Sequence, residues 1–318
     1  MLVEGVSVVV PFLNESEVIE KFCLALDGYQ KGFSTPLELV FVDDGSTDDT
    51  IGKIEQYCFK FIKKIRIVRL SKNYGSHAAI RAGLSSASYD VATWMGSDLQ
   101  DPLELLEQGL EKIQQGYDAV YFEKKQVKVS LAEKTFSGIY SRMMRRYAVK
   151  EFESGGINSI MMNQKVLKTL NDNIESNSSI VLQILSYGYK HTTITLEYLA
   201  RSGGKSKWTL SKKIKLFIDS FVAFSFMPIR MVSIVGMLMF IAGCIIGAFT
   251  VVNKFMGSTV PIGYSTLASI MALGFGITNI SLGIIAEYLW RTYDAARNRP
   301  AFIISEVIEI ENKDRKQG

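Results

Sequence analysis

Charge is missing from two stretches near the C-terminus, residues 231–252 and 262–286. A bilayer crossing needs about 20 apolar residues, so each stretch is long enough to span. Cysteine is scarce: Cys23, Cys58 and Cys244 form no C-x-x-C pair, and only His77 and His191 accompany them. That set excludes a zinc site, and the thiols fit a reducing cytosol. Large net charge is absent as well, because 36 basic against 32 acidic residues leave only +4. A nucleic-acid footprint is therefore not implied. No G-x-G-x-x-G follows the first apolar run and no G-x-x-x-x-G-K-[ST] occurs. The first absence disfavours a dinucleotide cofactor and the second removes a P-loop. The N-terminus MLVEGVSVVVPF lacks a basic n-region, so no signal peptide is read there. The apolar hairpin itself would direct the chain to a membrane.

The basic residues matter by position. Lys205, Lys207, Lys212, Lys213, Lys215 and Arg230 precede the first apolar stretch, and Arg291, Arg297 and Arg299 follow the second. The connector 253–261 carries only Lys254. The positive-inside rule then places both termini in the cytoplasm and the connector outside, a multi-pass protein of the cell membrane. Residues 211–227 put Ile214, Phe217, Ile218, Phe221 and Phe224 or Ser225 at helical spacing opposite lysines. Such a basic amphipathic helix suits a bilayer surface, and it equally describes a helix packed on a soluble domain. Gly243 and Gly247 form a GxxxG, weak support for helix association.

Upstream, residues 6–10, 37–42, 65–70 and 91–95 are short β-branched-rich runs. Each leads through polar turn residues to a helical pattern, near 15–26, 49–57, 77–85 and 103–115. Residues 119–122 and 192–196 read as further strands, while 132–146 and 164–186 read as largely helical. Strands alternating with helices at this spacing predict βαβ units and a mainly parallel, doubly wound α/β sheet. The expected organisation is a catalytic domain over 1–208 and an amphipathic juxtamembrane helix over 209–228. A two-helix transmembrane hairpin follows over 229–290, then a cytoplasmic tail over 291–318.

In an open parallel sheet, ligands bind beyond the carboxyl ends of the strands. Three polar groups fall there: Pro11-Phe12-Leu13-Asn14-Glu15, Asp43-Asp44-Gly45-Ser46-Thr47-Asp48 and Gly96-Ser97-Asp98-Leu99-Gln100-Asp101-Pro102. Each alone is equally well read as turn and cap chemistry. Their recurrence at successive strand ends favours one crevice. Acidic residues there would repel nucleotide phosphates unless a cation intervened. Mg²⁺ binds through one or two carboxylates plus substrate phosphates, which suggests a nucleotide-diphosphate donor and a Lewis-acid metal.

These segments resemble the family-two glycosyltransferases of GT-A fold, specifically the polyisoprenyl-phosphate hexosyltransferases. The resemblance rests on VVVPFLNE at 8–15, VFVDDGSTDDT at 40–50, RLSKNYGSHAAIRAGL at 69–84 and MGSDLQDPLELL at 95–106. It continues with RSGGKSKW at 201–208, the hairpin and Arg299-Pro300. It implies transfer of one hexose or N-acetylhexosamine from a nucleotide-sugar, UDP-linked by preference, to polyprenyl (undecaprenyl) phosphate with inversion. By the same resemblance Pro11, Asn14, Glu15, Asp43, Asp44 and Asp98 bind the nucleotide. Asp98 and Gln100 hold Mg²⁺ or Mn²⁺, and Arg142, Arg201, Ser206 and Lys207 bind the lipid phosphate. Asp98, Arg201 and Lys207 are the expected catalytic groups. Basic residues beside a span also read as simple anchors. A homo-oligomer, with a tetramer suggested by relatives, and partnership with a flippase and an outward-facing transferase are further implications.

Two departures stand out. The first acid of the family's D-x-D is Gly96, and the family's proposed base falls on Gly156 or Asn158, neither of which takes a proton. A phosphate monoester is mostly a dianion above a pKa of about 6, so the acceptor needs positioning more than a base. An inactive relative serving a membrane partner is the rival reading. A processive polysaccharide synthase is disfavoured, because no Q-x-x-R-W segment and no further spans are visible.

Overall fold

The computed structural model describes residues 3–124, 157–175, 179–197, 264–297 and 300–311. It adds residues 231, 232, 234–238, 241, 245, 252, 255 and 256. The chain divides into two compact units, one formed by Met1–Ser220 with Pro300–Gly318 and the other by Phe221–Arg299.

The first unit is built on an eight-stranded mixed sheet. Along the chain run β1 (Val6–Phe12), α1 (Ile19–Gln30), β2 (Leu37–Asp43), α2 (Thr50–Gln56), β3 (Lys64–Leu70) and α3 (Ser76–Ser85). Next come β4 (Val91–Trp94), α4 (Glu104–Gln114), β5 (Ala119–Lys124), β6 (Ile157–Asn163), α5 (Gln164–Asp172), α6 (Ile180–Ser186) and β7 (His191–Leu196). After the second unit, β8 (Ile304–Glu311) returns to the sheet. The strand order is β7-β5-β6-β4-β1-β2-β3-β8. Strands β1 to β4 are mutually parallel, as are β5 and β7, whereas β6 and β8 run antiparallel to their neighbours.

The near-continuous apolar runs of β1 and β2 form because helices cover both faces of these strands. Val6, Val8, Val10 and Phe12 share one core cluster with Phe22 and Leu26 of α1, Ile54 of α2 and Leu106 and Leu110 of α4. Val9 and Val42 face α3 on the opposite side. There Gly83 lets the helix settle onto the sheet, because a Cβ would collide with Val9 Cγ1 and come within 2.8 Å of Val42 Cγ2. Each fully buried Val, Leu or Phe contributes about 1.5–3 kcal/mol, so this two-faced core fixes where the strands end.

The region 164–186 is largely helical as expected, formed by α5 and α6. Two elements differ from the sequence expectation. Strand β6 inserts between β4 and β5 through the buried Ile160, Met161 and Met162. Part of the expected tail is strand β8, whose Glu306 and Glu309 pair with Arg69 and Arg66 of β3 at 3.0 and 2.8 Å. With such partners, an alternating I-S-E-V-I-E-I-E segment becomes an edge strand.

In the second unit, α7 (Tyr264–Ala296) is a single helix of 33 residues that contains most of the second apolar stretch and runs beyond it. Leu267, Met271, Phe275, Ile280, Leu282 and Leu289 are each more than half exposed. Residues 231, 232, 234–238, 241 and 245 of the first stretch are helical where described. Counting described residues alone, no helix is long and apolar enough to cross a membrane; several side chains of α7 lie outside that set. The expected amphipathic helix 209–228 lies outside it entirely.

Candidate active site

Parallel registration brings the ends of β1, β2 and β4 side by side. Phe12 pairs with Asp43, Val9 pairs with Trp94, and the Met95 amide donates to the Val9 carbonyl at 2.9 Å. The three polar groups anticipated from sequence therefore meet at one edge of the sheet.

Pro11 is the penultimate residue of β1, half-buried and with no N–H to give the ladder. Asn14 follows at φ 52°, a left-handed conformation that asparagine tolerates better than most residues. Its Oδ1 accepts from the Thr47 and Asp48 amides at 2.8 and 3.3 Å, and its own amide donates to Ser46 Oγ at 3.0 Å. Next to it, the Glu15 amide donates to Thr50 Oγ1 and the Ser16 amide to Asp48 Oδ2. The loop after β1 is thus laced to the loop after β2. At Asp48 burial raises the pKa, but hydrogen bonds from Thr50 and Ser16 outweigh it and hold the carboxyl below its ordinary range.

Asp43 and Asp44 are both buried, at 2 % and 5 % exposure. Asp43 Oδ1 accepts from the Ser46 amide at 2.8 Å, and Oδ2 lies 3.9 Å from Arg69 Nε. Asp44 uses both oxygens on the loop after β3, taking the Tyr74 amide at 2.7 Å and the Gly75 amide at 2.9 Å. Burial raises the Asp44 pKa, those two amides oppose the rise, and the neighbouring Asp43 charge adds to it. Gly45 between the loops sits at φ +82°, and a Cβ there would approach Asn73 N to 2.9 Å. Any other residue would be strained and would push the two loops apart.

Beyond β4, Asp98 is half-buried and its Oδ1 accepts from the Gln100 amide at 3.3 Å. Leu99 between them has φ 57°, a conformation that costs on the order of 1–3 kcal/mol in a non-glycine residue. The loop is closed by Asp101, 4 % exposed, whose Oδ2 accepts from the Gly96 amide and whose Oδ1 accepts from Asn158 Nδ2, both at 2.6 Å. The sequence pattern presents Asp101 as a helix opener, whereas its partner lies 57 residues away on β6. A Cβ at Gly96 would stand 3.0 Å from Asp98 Oδ1, so the space where a second acid would sit borders Asp98 directly.

The edge therefore gathers Pro11, Asn14, Glu15, Asp43, Asp44, Asp98 and Gln100. Arg142, Arg201, Ser206, Lys207 and Gly156 lie outside the described residues. Among the described residues no group of three His, Cys, Asp or Glu could hold a metal alone. A cation beside Asp98 would have to complete its shell with phosphate oxygens and waters. Cys23 is excluded as a nucleophile, because burial, with Asp27 adding, pushes its thiol up to about 12. A hollow of about 470 Å³ lined by Tyr29, Phe33, Glu107 and Gln114 lies between α1 and α4 and shares no residue with this edge.

A doubly wound sheet with acid-bearing loops at the carboxyl ends of β1, β2 and β4 defines a GT-A-like transferase fold. Residues 7–170 match the profile of Glycosyl transferase family 2, and the chain belongs to that family. It is 30% identical over 308 residues to "Uncharacterized glycosyltransferase YkcC" of Bacillus subtilis, covering 96% of this chain and 95% of that protein. It is 27% identical over 317 residues to the undecaprenyl-phosphate 4-deoxy-4-formamido-L-arabinose transferase of Yersinia enterocolitica, covering 99% and 97%. Among solved structures, a mannosyltransferase from Pyrobaculum calidifontis in complex with GDP-Man and Mn²⁺ aligns over 92% of this chain and 88% of its own. That alignment has 16% identity and a TM-score of 0.46. The chain is a glycosyltransferase.

Proposed function

We propose that this glycosyltransferase is bound to the cell membrane, where it moves one hexose or N-acetylhexosamine from a nucleotide-sugar, UDP-linked by preference, to undecaprenyl phosphate. The observation that carries the reading is the end-to-end match to a relative named for an undecaprenyl-phosphate acceptor, on a chain whose polar strand ends converge. The uncharged stretches 231–252 and 262–286, with their basic flanks, support the membrane. The exposed apolar side chains of α7 point the same way.

In this reading Pro11, Asn14, Glu15, Asp43 and Asp44 shape and line the nucleotide pocket. Asp98 and Gln100 hold Mg²⁺ or Mn²⁺ against the diphosphate. The metal, when bound, supplies Lewis-acid neutralisation of the leaving group. Arg142, Arg201, Ser206 and Lys207 take the lipid phosphate. A phosphate oxygen attacks the anomeric carbon, the bond to the diphosphate breaks, and the configuration inverts. No proton must be removed from an acceptor that is already ionised, so an amide at Asn158 is compatible with turnover.

Gly96 and Asn158 also favour a second reading, in which the chain binds nucleotide or lipid for a partner without turning over. Full-length protein in detergent, given radiolabelled nucleotide-sugars, undecaprenyl phosphate and Mg²⁺ or Mn²⁺, decides between them. Lipid-extractable label from at least one donor, abolished in Asp98→Asn, is expected. Nucleotide binding with no labelled lipid from any donor would establish the second reading instead.

A further inference from the structure

The loop that carries Asp98 is poorly suited to hold its own shape. Leu99 is in a left-handed conformation and Gly96 contributes no side chain to packing. Asp98 rides on this loop, so its direction follows the loop's course. Asp101 ties that course to the sheet. Its carboxylate is almost wholly buried and accepts two hydrogen bonds of 2.6 Å, one from the first residue of the loop and one from Asn158. Short bonds to an ionised acceptor are about twice as strong as neutral ones.

Asn158 is itself fixed. It lies on β6, which pairs with β4 through Val91↔Asn163 and Ala92↔Met162. Because that pairing is antiparallel, β6 carries Asn158 past the carboxyl end of β4. There the Trp94 indole donates to the Asn158 carbonyl at 3.1 Å. The side-chain amide is thereby presented as a donor to Asp101 from the strand that flanks the site.

We infer that Asn158 is a positioning residue: acting through Asp101, it clamps the loop 96–101 and so sets the direction of Asp98 toward the donor. The role rests on reading this edge as the donor site, and it differs from that of a general base because the residue acts by giving a hydrogen bond. It also explains why an amide serves at this place. A neutral donor satisfies the buried Asp101 charge, and no second ionised group enters the crevice.

The test uses the full-length protein and two variants. Asn158→Leu keeps the side-chain size and removes the donor. The double variant Asn158→Asp with Asp101→Asn reverses the polarity of the pair. The amide introduced at position 101 can donate to the carboxylate introduced at position 158, while its oxygen accepts from Gly96. Amide hydrogen exchange over residues 95–103 is expected to be about tenfold faster in Asn158→Leu, the factor for one lost bond to a charged group. In the double variant it should stay within about threefold of the parent. Binding of UDP or GDP with Mn²⁺ should weaken in parallel with loop exchange in the leucine variant, with the melting temperature recorded alongside. Unchanged exchange in Asn158→Leu, or a double variant as loose as the single one, would overturn the inference. A parent protein that binds neither nucleotide would instead strike the donor-site reading, and the exchange data would still decide whether Asn158 clamps the loop.

Discussion

The two ends of the same strands bury carboxylates in opposite ways. At the amino end, Glu38 of β2 is fully buried. Ser7 Oγ donates to it at 2.5 Å, and the Ser88 amide and hydroxyl donate at 2.9 and 2.7 Å. Lys64 and Arg66 stand 3.9 and 3.8 Å away. Those partners belong to β1, β3 and the turn before β4, so one acid ties neighbouring strands together. At the carboxyl end, Asp43, Asp44 and Asp101 take mainly backbone amides from loops. An acid answered by side chains and cations binds strands to each other, whereas an acid answered by loop amides dictates a loop's course. Burial alone does not separate the two sets of acids; the kind of partner does.

The largest expected effect tests the scaffold end. Replacing Glu38 by alanine removes the acceptor of the buried Ser7 hydroxyl and of the Ser88 amide, and leaves Arg66 with Glu309 as its acid. The cost should be about 2–3 kcal/mol in denaturant unfolding. Nucleotide binding by the folded fraction should be unchanged, and a Glu38→Ala protein that melts normally but loses nucleotide would erase the contrast between the ends.

A second measurement sharpens it through pH. His77 opens α3 at the site end, and its Nδ1 is a buried atom with no hydrogen-bond partner among the described residues. Burial, with the Arg81 charge adding, lowers its pKa below the ordinary 6.5. The unfolded chain then binds more protons than the folded one between the two pKa values. This contribution is therefore present above 6.5 and lost as pH falls toward the folded pKa. The melting temperature should drop more for the parent than for His77→Gln between about pH 7.5 and about pH 5.5. Parallel curves would show that His77 titrates normally.

The smallest effect concerns the exposed pairs of β8. Arg69 and Glu306 are 42% and 51% exposed, and pairs of this kind are worth about 0–1 kcal/mol. Glu306→Gln should shift denaturant unfolding within that range, with less effect at high salt. A loss above about 2 kcal/mol would mean that Arg69 needs Glu306 to hold Asp43 in place.

Much of this was readable in advance. β1 to β4 announce themselves as apolar runs closed by polar turns, because burial on both faces demands that pattern. The same logic located Asn14, Asp43, Asp44 and Asp98. What they hold was not readable, since Asp44 answers Tyr74 and Gly75, and Asp101 answers Asn158 across a long separation. Strand β6 escaped because its polar residues, Asn158, Ser159 and Asn163, flank an apolar run rather than alternate with it. Strand β8 escaped because half of it is acidic or polar and its cations, Arg66 and Arg69, lie far earlier in the chain. The residues expected to meet the lipid phosphate, Arg142, Arg201, Ser206 and Lys207, fall outside the described set.

Strand β8 has one more consequence. The polypeptide leaves the first unit near Ser220 and rejoins it at Pro300, so the apolar unit is an insertion with both of its ends in the same partner. A single protease cut anywhere within 221–299 frees neither piece: the short C-terminal fragment remains registered along β3 from Ile304 to Glu311. Two co-expressed halves divided in that interval could reassemble through the same ladder, a splitting point that ordinary tail-anchored designs do not offer.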